Sequence, residues 1–511
     1  TDYRKISPRE WNNFFNVIIG NHLTSSEEFS EKHRSTFALP SRLTQFKIFM
    51  KRDVLSKLAN KQYMLINFLE APVLAFVLSL FIKYYPSSTN GLSEYTLREN
   101  LNFPQYLFIS VVVCLFLGLT VSAEEIIKDQ KILKREKYLH LSKGSYLFSK
   151  ISIMIFISLI QSLTFVLVGN SILEVKGMLF PFWMVLFSTS VFANILGLNI
   201  SASFNSAKVI YIIIPILIIP QLLFSGVIVR FDRLFPAISN QASVPLIGNV
   251  MTSRWAYEAL AVHQFRNNDF NKLFFEYEQP RKYCGWKKDY WMKEMETKVN
   301  EVRKGLETGQ KGKEFSRSLT VLRNELEKEV NTNSEFTFSA FDQLAEQTVN
   351  TGILADIEVR LGELEQYYIQ AYNAANKQRE SKIAEMTVTP EMRTAYLKLQ
   401  DDHFNESLED FVTNKNDLKK IVEYKGELVQ KQNLIYLMPQ GNNLFRAHFY
   451  APSKPFFGRQ ITTLSANIMV IWMMSAILAW VLFIDGFRRF LESLGHLPER
   501  LQWKKKGEKK E

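Results

Sequence analysis

The sequence predicts an all-α membrane protein that carries a large helical domain outside the lipid. Six apolar stretches support this prediction, each near the roughly 20 residues that a helix needs to cross a bilayer. They occupy residues 62–82, 105–127, 147–168, 178–198, 209–229 and 461–485. The last two are separated by a polar block over residues 265–458. Because a polar block between two spans stays on one side of the membrane, we expect a single outer domain there.

The distribution of charge predicts which side each segment faces. The formal net charge is +11, yet residues 265–457 are nearly neutral, with 28 Lys and Arg against 30 Asp and Glu. The surplus lies in residues 1–60, in the loop 128–150 and after Asp485. Lys and Arg in short loops favour the cytoplasmic side, so both termini are predicted to be cytoplasmic and the outer domain periplasmic or extracellular. This predicts an inner-membrane protein whose basic tail contacts anionic lipids, and no nucleic acid partner.

The sequence lacks the motifs of a conventional enzyme. It has no Walker A pattern, no HExxH, no CxxC and no GxSxG, and its seven histidines are scattered. Its two cysteines are Cys114 and Cys284, so residues 265–458 cannot hold a disulfide of their own. We predict no catalytic residue and no metal site in this chain.

The segments outside the apolar stretches have distinct patterns. Residues 1–40 are polar and are predicted to be a cytoplasmic linker, and residues 488–511 are the basic tail. Residues 41–60 interleave apolar and basic side chains, which is typical of an amphipathic helix in the membrane interface. Residues 242–261 are too interrupted to cross the membrane and favour a pair of short re-entrant or interfacial helices.

The polar block is predicted to fold as long helices. Its apolar residues recur at three- and four-residue steps. The repeats are Met292, Met295, Val299, Val302 and Leu306, then Phe315, Leu319, Leu322 and Leu326, then Ile357, Leu361, Leu364 and Tyr368. Thr389 before Pro390 predicts the start of a further helix. We expect a helical bundle or an antiparallel coiled coil, with the apolar stripes as its core.

The loop between the second and third stretches carries a charged motif. It has Asp129, then Arg135 and Glu136, then a glycine-containing turn that ends at Tyr146. In this order the loop resembles the permease half of G-subfamily ABC transporters, which have an ABC-2 type membrane domain. The resemblance implies that these four residues couple the permease to an ABC ATPase, which would carry ATP and Mg²⁺. For the loop alone, an ordinary basic loop is an equal alternative.

Two later stretches extend this resemblance. Residues 224–228 end the fifth span with small residues followed by Val227 and Ile228, a pair that in relatives forms an apolar plug below the exit. Residues 253–260 resemble the family's re-entrant segment, and Arg254 and Glu258 there are spaced for an ion pair on one helix face.

Together the motifs cover about residues 41–264 and 460–487. The resemblance implies the ABC-2, or type II exporter, fold of ABCG-like permeases. It has an amphipathic connecting helix at 41–60, spans one to five and the re-entrant segment within 61–264, and a sixth span at 459–487.

The resemblance also implies a substrate cavity between two copies of the permease. It places Ser122, Ile219 and Leu222 along that cavity, although the Ser122 hydroxyl can instead bond its own helix and the other two are ordinary lipid- or helix-facing residues. Glu70 is an ionisable residue within the first span, and such residues either pair with a neighbour or mark a polar lining.

The chain departs from the family in two ways. The loop before the last span is a whole domain without a cysteine pair, and no ATPase precedes the permease, so we expect residues 1–40 to follow a missing ATPase domain. The predicted function is the permease of an ATP-driven exporter of hydrophobic or amphipathic molecules, acting as a homodimer, with a possible periplasmic partner for residues 265–458. The alternatives are a mechanotransmitting component that moves a periplasmic partner without transport, and a non-transporting scaffold.

Overall fold

The computed structural model describes residues 7–20, 40–88, 91–92, 94–136, 139, 141–204, 206–333, 336–439 and 442–495. The predicted linker 1–40 lies outside these residues except for 7–20 and 40, and the predicted tail 488–511 lies outside them from residue 496 onward. Helices make up 74% of the structure and strands are few. The all-α fold class is therefore confirmed.

Ten helices are described before the outer domain. They are α1 (Pro8–Phe14, continued by a π-helical turn at Phe15–Gly20), α2 (Arg42–Ala59), α3 (Lys61–Ile82), α4 (Phe103–Ser122), α5 (Glu125–Glu136), α6 (Lys143–Ile172), α7 (Leu179–Ser203), α8 (Ala207–Leu223), α9 (Leu246–Val250) and α10 (Thr252–Asn267). Several begin at a polar cap, which satisfies amides that have no partner within the helix. Ser41 caps α2, Asn60 caps α3 and Ser142 caps α6.

The outer domain and the end of the chain contain the remaining helices of the described residues. They are α11 (Phe275–Trp286), α12 (Met292–Thr308), α13 (Lys313–Thr332), α14 (Thr351–Met386), α15 (Pro390–His403), α16 (Glu406–Thr413), α17 (Thr463–Phe483) and α18 (Gly486–Gly495). Single helical turns occur at Phe231–Arg233, Asn271–Leu273, Lys287–Trp291, Phe341–Gln343, Leu434–Tyr436 and Leu444–Arg446. As predicted, Thr389 caps α15 and Pro390 is its first residue.

The structure also contains strands that the helical pattern did not predict. Antiparallel hairpins pair β1 (Ser87–Ser88) with β2 (Gly91–Leu92), β3 (Ile421–Tyr424) with β4 (Glu427–Gln430), and β5 (Ser453–Phe456) with β6 (Arg459–Thr462). The β3–β4 turn is formed by Lys425 and Gly426, with φ of 53° and 78°. Two positive φ angles match the twist of paired strands, so this hairpin depends on two turn residues.

Five helical segments of the described chain are long and apolar enough to cross a membrane. They are Lys61–Ile82, Phe103–Glu136, Lys143–Ile172, Leu179–Ser203 and Thr463–Phe483. The fifth predicted span, residues 209–229, is a shorter apolar helix, α8, of 17 residues. At 1.5 Å per residue it is about 26 Å long, slightly less than the roughly 30 Å hydrocarbon core. It ends early because the chain turns at Gly226, where φ is +82°.

A turn divides the second predicted span, residues 105–127, between α4 and α5. The chain turns at Ala123 and Glu124, and Ser201 of α7 accepts hydrogen bonds from the amides of Ile126 and Ile127 at 3.0 and 3.1 Å. These are amides of the first turn of α5, which have no partner within their own helix. A residue of another helix therefore caps α5 and fixes where it starts.

The buried residues form separate cores. The largest lies among the membrane helices and α10, and it extends to Leu408 and Val412 of α16. A second core lies within the outer domain and contains the predicted stripes of α12, α13 and α14, with Leu306 at its edge. A small third core joins Phe49 of α2 to Tyr146 of α6. The outer stripes are thus buried inside one bundle.

Candidate coupling site

A cluster of charged side chains lies where α2, α5 and α6 meet. At its centre is Lys150 of α6, whose side chain is 3% exposed. Its Nζ lies 2.9 Å from Asp53 of α2, and 3.2 and 2.9 Å from Glu125 and Asp129 of α5. One buried ammonium group therefore holds carboxylates from two other helices.

A second cation and two phenols complete the cluster. Lys57 of α2 lies 2.6 Å from Glu125, whose Oε1 also accepts from the Tyr63 hydroxyl at 3.5 Å. The Tyr146 hydroxyl donates to Asp129 at 3.0 Å. Buried carboxylates need such partners because an unpaired charge away from water is costly. The cluster ties α2, α5 and α6 together, so displacement of α5 pulls on the other two helices.

The residues predicted for coupling occupy different positions around α5. Asp129 and Tyr146 are members of the buried cluster. Glu136, at the far end of α5, accepts a hydrogen bond from Arg52 of α2 at 2.6 Å. The Arg135 side chain is exposed and forms no hydrogen bond or ion pair with another described residue. The end of α5 thus presents a free guanidinium group beside an anchored carboxylate.

Sequence reasoning missed the charged residues that hold the cluster together. Lys57 was interpreted as one of the basic residues of an interfacial helix, Asp53 carried no prediction, and Glu125 stands near the end of a predicted span. Lys150 stands close to the start of an otherwise apolar stretch. Since basic residues near membrane ends commonly reach water, only its burial in the fold indicates a structural role.

The predicted plug follows α8 in a tight turn. Ser225 donates to the Leu222 carbonyl at 2.8 Å and accepts from the Val227 amide at 3.3 Å. A Cβ at Gly226 would lie 2.7 Å from Cζ of Phe231, so this position requires glycine. Val227 is half-buried against the membrane core, whereas Ile228 is 57% exposed.

The three residues predicted for a substrate cavity differ in their surroundings. Ile219 is 52% exposed on the surface of α8, and Leu222 is half-buried against the membrane core. Ser122 is fully buried, and its hydroxyl donates to the Gly118 carbonyl at 2.7 Å. The Ser122 hydroxyl therefore bonds the backbone of its own helix, as the alternative interpretation expected. This geometry gives no support to a role in lining a cavity.

Arg254 and Glu258 form part of a buried cluster centred on α10. Their closest side-chain atoms are 3.5 Å apart and both residues are at most 1% exposed. The nearer cation is Lys454 of β5, 2.5 Å from Glu258. Asn467 of α17 also donates to Glu258 at 2.9 Å. Burial, together with the nearby charge of Arg254, lowers the pKa of Lys454 to about 7. The cluster thus links α10, β5 and α17 through residues far apart in the sequence.

Glu70 lies near the middle of α3. It is half-buried, and no hydrogen bond or ion pair joins it to another residue in the described part of the chain. The expected pairing of Glu70 with a polar neighbour is therefore not formed among the described residues, and its role stays a prediction.

A cavity of about 670 Å³ lies between the plug and the outer domain. One wall contains Gly226, Val227 and the turn at Phe231–Arg233. The opposite wall comes from α11, α13 and β4 of the outer domain. The cavity therefore begins at the predicted plug and ends at the outer helices.

Comparison with known proteins agrees with this architecture. Residues 44–265 match the family model of the ABC-2 type transporter. This region runs from α2 through most of α10 and contains the charge cluster and the plug turn. No curated protein matches the chain. Such a membrane domain implies an ATPase partner. Residues 44–265, a little under half of the chain, are therefore similar to the membrane domain of ABC-2 type transporters, the permease part of ABC transporters.

Proposed function

We propose that this permease exports a hydrophobic or amphipathic molecule across a cell inner membrane, using ATP and Mg²⁺ bound to its ATPase partner. The cavity outside Val227 carries the proposal. A molecule that passes an apolar plug needs space on the far side of it, and here a cavity of about 670 Å³ begins at the plug. Its size is within the range of roughly 300–1,000 Å³ that is common for ligand sites.

The charge cluster supports a route for the driving force. In the proposed mechanism the ATPase docks at the exposed end of α5, beside Arg135, and pushes this helix when ATP closes the ATPase. Because Lys150 binds carboxylates of both α2 and α5, the push reaches α6 directly. It also reaches α4, which precedes α5 in the chain. Packed helices move as rigid bodies in transitions of this kind.

The exposed face of α8 supports a homodimer with an apolar cavity between its copies. Ile212, Ile216 and Ile219 follow one another at helical spacing, and each is more than half exposed. Side chains at such spacing form a single stripe. In the proposed dimer these stripes face each other below the plug, and an apolar lining favours apolar cargo because polar groups would lose their hydrogen bonds there.

Transport is tested with the permease and its ATPase in proteoliposomes loaded with a nitrobenzoxadiazole-labelled phospholipid. Val227→Phe narrows the plug, so export should fall to background while ATP hydrolysis continues. Val359→Phe, on the exposed surface of α14, is the matched control and should export normally. Normal export by Val227→Phe would remove the plug from the path and contradict the proposal.

ATPase docking is tested with Arg135→Glu. This residue has no partner among the described residues, so its replacement should leave folding intact while ATP-dependent export is lost. Arg393→Glu reverses another exposed arginine, on α15, and should have no effect. If Arg135→Glu also has none, α5 is not the docking site, and a scaffold without a docked ATPase gains support.

Mechanotransmission is the second candidate, favoured by the connections of the outer domain. Arg230, just after the plug, pairs with Asp417 at 2.5 Å, and Arg98 pairs with Glu406 of α16 at 2.8 Å. Helix α14 has 36 residues, or about 54 Å at 1.5 Å per residue, which would amplify a small rotation. An ATP-dependent change in the position of α14 without export of any amphiphile would favour this function over transport.

A further inference from the structure

On the wall of the cavity outside the plug, the acidic side chains are paired with cations, whereas some of the cationic side chains have no anionic partner among the described residues. Each acidic residue on its wall lies within 4 Å of a cation of the same chain. The pairs are Asp232 with Arg230, Glu325 and Glu427 with Lys328, Glu329 with Lys287, and Asp410 with Lys415. Lys431, also on the wall, donates to the Gln241 carbonyl at 2.5 Å. The acids of the wall are therefore neutralised within the chain.

Two arginine side chains on the wall remain available to bind an anionic group. Arg233 follows the plug turn and Arg446 precedes the last hairpin, and both line the cavity. Both are exposed, and neither guanidinium group forms a hydrogen bond or ion pair with another residue that the structure describes. The charge left unpaired on the wall is thus positive, and guanidinium groups favour carboxylate and phosphate groups, which they bind with two parallel hydrogen bonds.

A buried hydrogen-bond acceptor on the same wall indicates a second property of the ligand. Gln430 of β4 lines the cavity and is 7% exposed. Its amide nitrogen donates to the Gln432 carbonyl at 2.7 Å, but its Oε1 is buried and has no partner among the described residues. Buried polar atoms are normally hydrogen-bonded, so this oxygen is suited to a ligand that brings an N–H or O–H group.

The rest of the wall includes an apolar surface. Val227 and Val244 lie on the membrane side, and Leu437, Met438 and Pro439 lie on the side of the outer domain. An apolar wall with a few polar groups is the usual composition of a site for a partly apolar ligand.

We propose that this cavity binds an anionic amphiphile whose headgroup also carries a hydrogen-bond donor. Arg233 and Arg446 bind the anionic group, Gln430 accepts from the donor, and the apolar residues contact the chain. The binding site does not depend on the transport function, but its use as an exit site for cargo rests on the proposed function. The same ligand could also arrive from the outer side, and the experiment separates these two sources.

Binding is measured by native mass spectrometry of the full chain in detergent, titrated with 14-carbon lysophosphatidylglycerol or lysophosphatidylcholine. The first probe is anionic and carries hydroxyl donors on its headgroup, whereas the second is zwitterionic and its choline headgroup has none; the sn-2 hydroxyl is common to both. We expect the chain to bind the first about tenfold more tightly, since a charge-assisted hydrogen bond at a partly exposed site contributes about that factor. Arg233→Gln with Arg446→Gln should remove this preference, and Gln430→Leu should reduce it. Arg393→Gln, on an exposed surface away from the cavity wall, should keep it.

The outcomes separate the proposal from the proposed function. An unchanged preference in the double arginine variant, with an unfolding midpoint equal to that of the wild type, would overturn the binding site. Equal loss in Arg393→Gln would show a nonspecific effect of surface charge and would overturn it as well. If binding falls and export of the labelled lipid also falls, the ligand is cargo. If binding falls while export is unchanged, the ligand reaches the site from outside. Absence of export in the wild type would contradict the proposed function alone.

Discussion

Replacing Lys150 by methionine should destabilise the junction of α2, α5 and α6. Methionine keeps the length of the side chain but removes the charge that binds Asp53, Glu125 and Asp129. Lys57 would then be the one ammonium group left among these three carboxylates. Removing one partner of a buried ion pair costs roughly 3–5 kcal/mol. Because Asp129 is 20% exposed and water can reach it, we expect the lower end, about 3 kcal/mol.

The measurement uses the buried cysteines as reporters. Cys114 lies in the membrane core and Cys284 in the outer domain, and both are buried free thiols. In a Cys284→Ala background, a thiol-reactive fluorophore reports the unfolding of the membrane part through Cys114. We expect Lys150→Met to lower the unfolding midpoint by roughly 5 °C, allowing for the size of the chain.

Two further variants make this prediction specific. Lys128→Met removes an exposed lysine that pairs with Glu124 at 2.7 Å, and a surface pair contributes at most about 1 kcal/mol. Adding Asp129→Asn to Lys150→Met removes one stranded carboxylate and should recover part of the loss, with a coupling of about 1–3 kcal/mol. If Lys150→Met is as stable as Lys128→Met, or if Asp129→Asn destabilises it further, the cluster does not hold the helices as described.

The other predictions concern different parts of the fold, each checked by thermal unfolding. Glu258→Gln leaves two buried cations without an anion and should cost roughly 3–5 kcal/mol, whereas Lys454→Met leaves one anion with one cation and should cost less; the reverse order would contradict the description of this cluster. Gly118→Val should destabilise by about 1–3 kcal/mol or more, because a Cβ at Gly118 already lies 2.7 Å from the backbone of α7. The control Gly362→Val, where a Cβ meets nothing within 4 Å, should not destabilise the protein, because valine has a slightly higher helix propensity than glycine, and equal losses would show that close packing is not the cause. Burial alone would raise the pKa of Asp232, but hydrogen bonds from the neighbouring arginine lower it below its ordinary value. Its contribution to stability is therefore complete above the unfolded pKa of about 3.9 and is lost as the pH falls through the lower folded value. An Asp232→Asn variant should lose less stability than the wild type between pH 4 and pH 2, and parallel curves for the two proteins would refute the assignment.

The pattern of apolar residues was sufficient to predict much of the architecture. Spans in residues 62–82, 147–168 and 178–198 form long apolar helices, because a stretch of that length and composition must satisfy its backbone hydrogen bonds internally. The stripes of the outer domain are buried as predicted, since apolar residues at three- and four-residue spacing lie on one helix face. The β3–β4 and β5–β6 hairpins were missed because each depends on a two-residue turn, such as Lys425 with Gly426, rather than on a periodic pattern.

The sequence by itself determined which segments are helical, which are apolar enough for a membrane and where the excess positive charge lies. These properties depend on neighbouring residues along the chain. The tertiary structure alone decided which charges meet. Lys454 reaches Glu258 across 196 positions, and Ser201 caps α5 from α7. Burial and partners are set by the packing of distant segments, so the same lysine or serine is an ordinary surface residue in the sequence and a fixed connection in the fold.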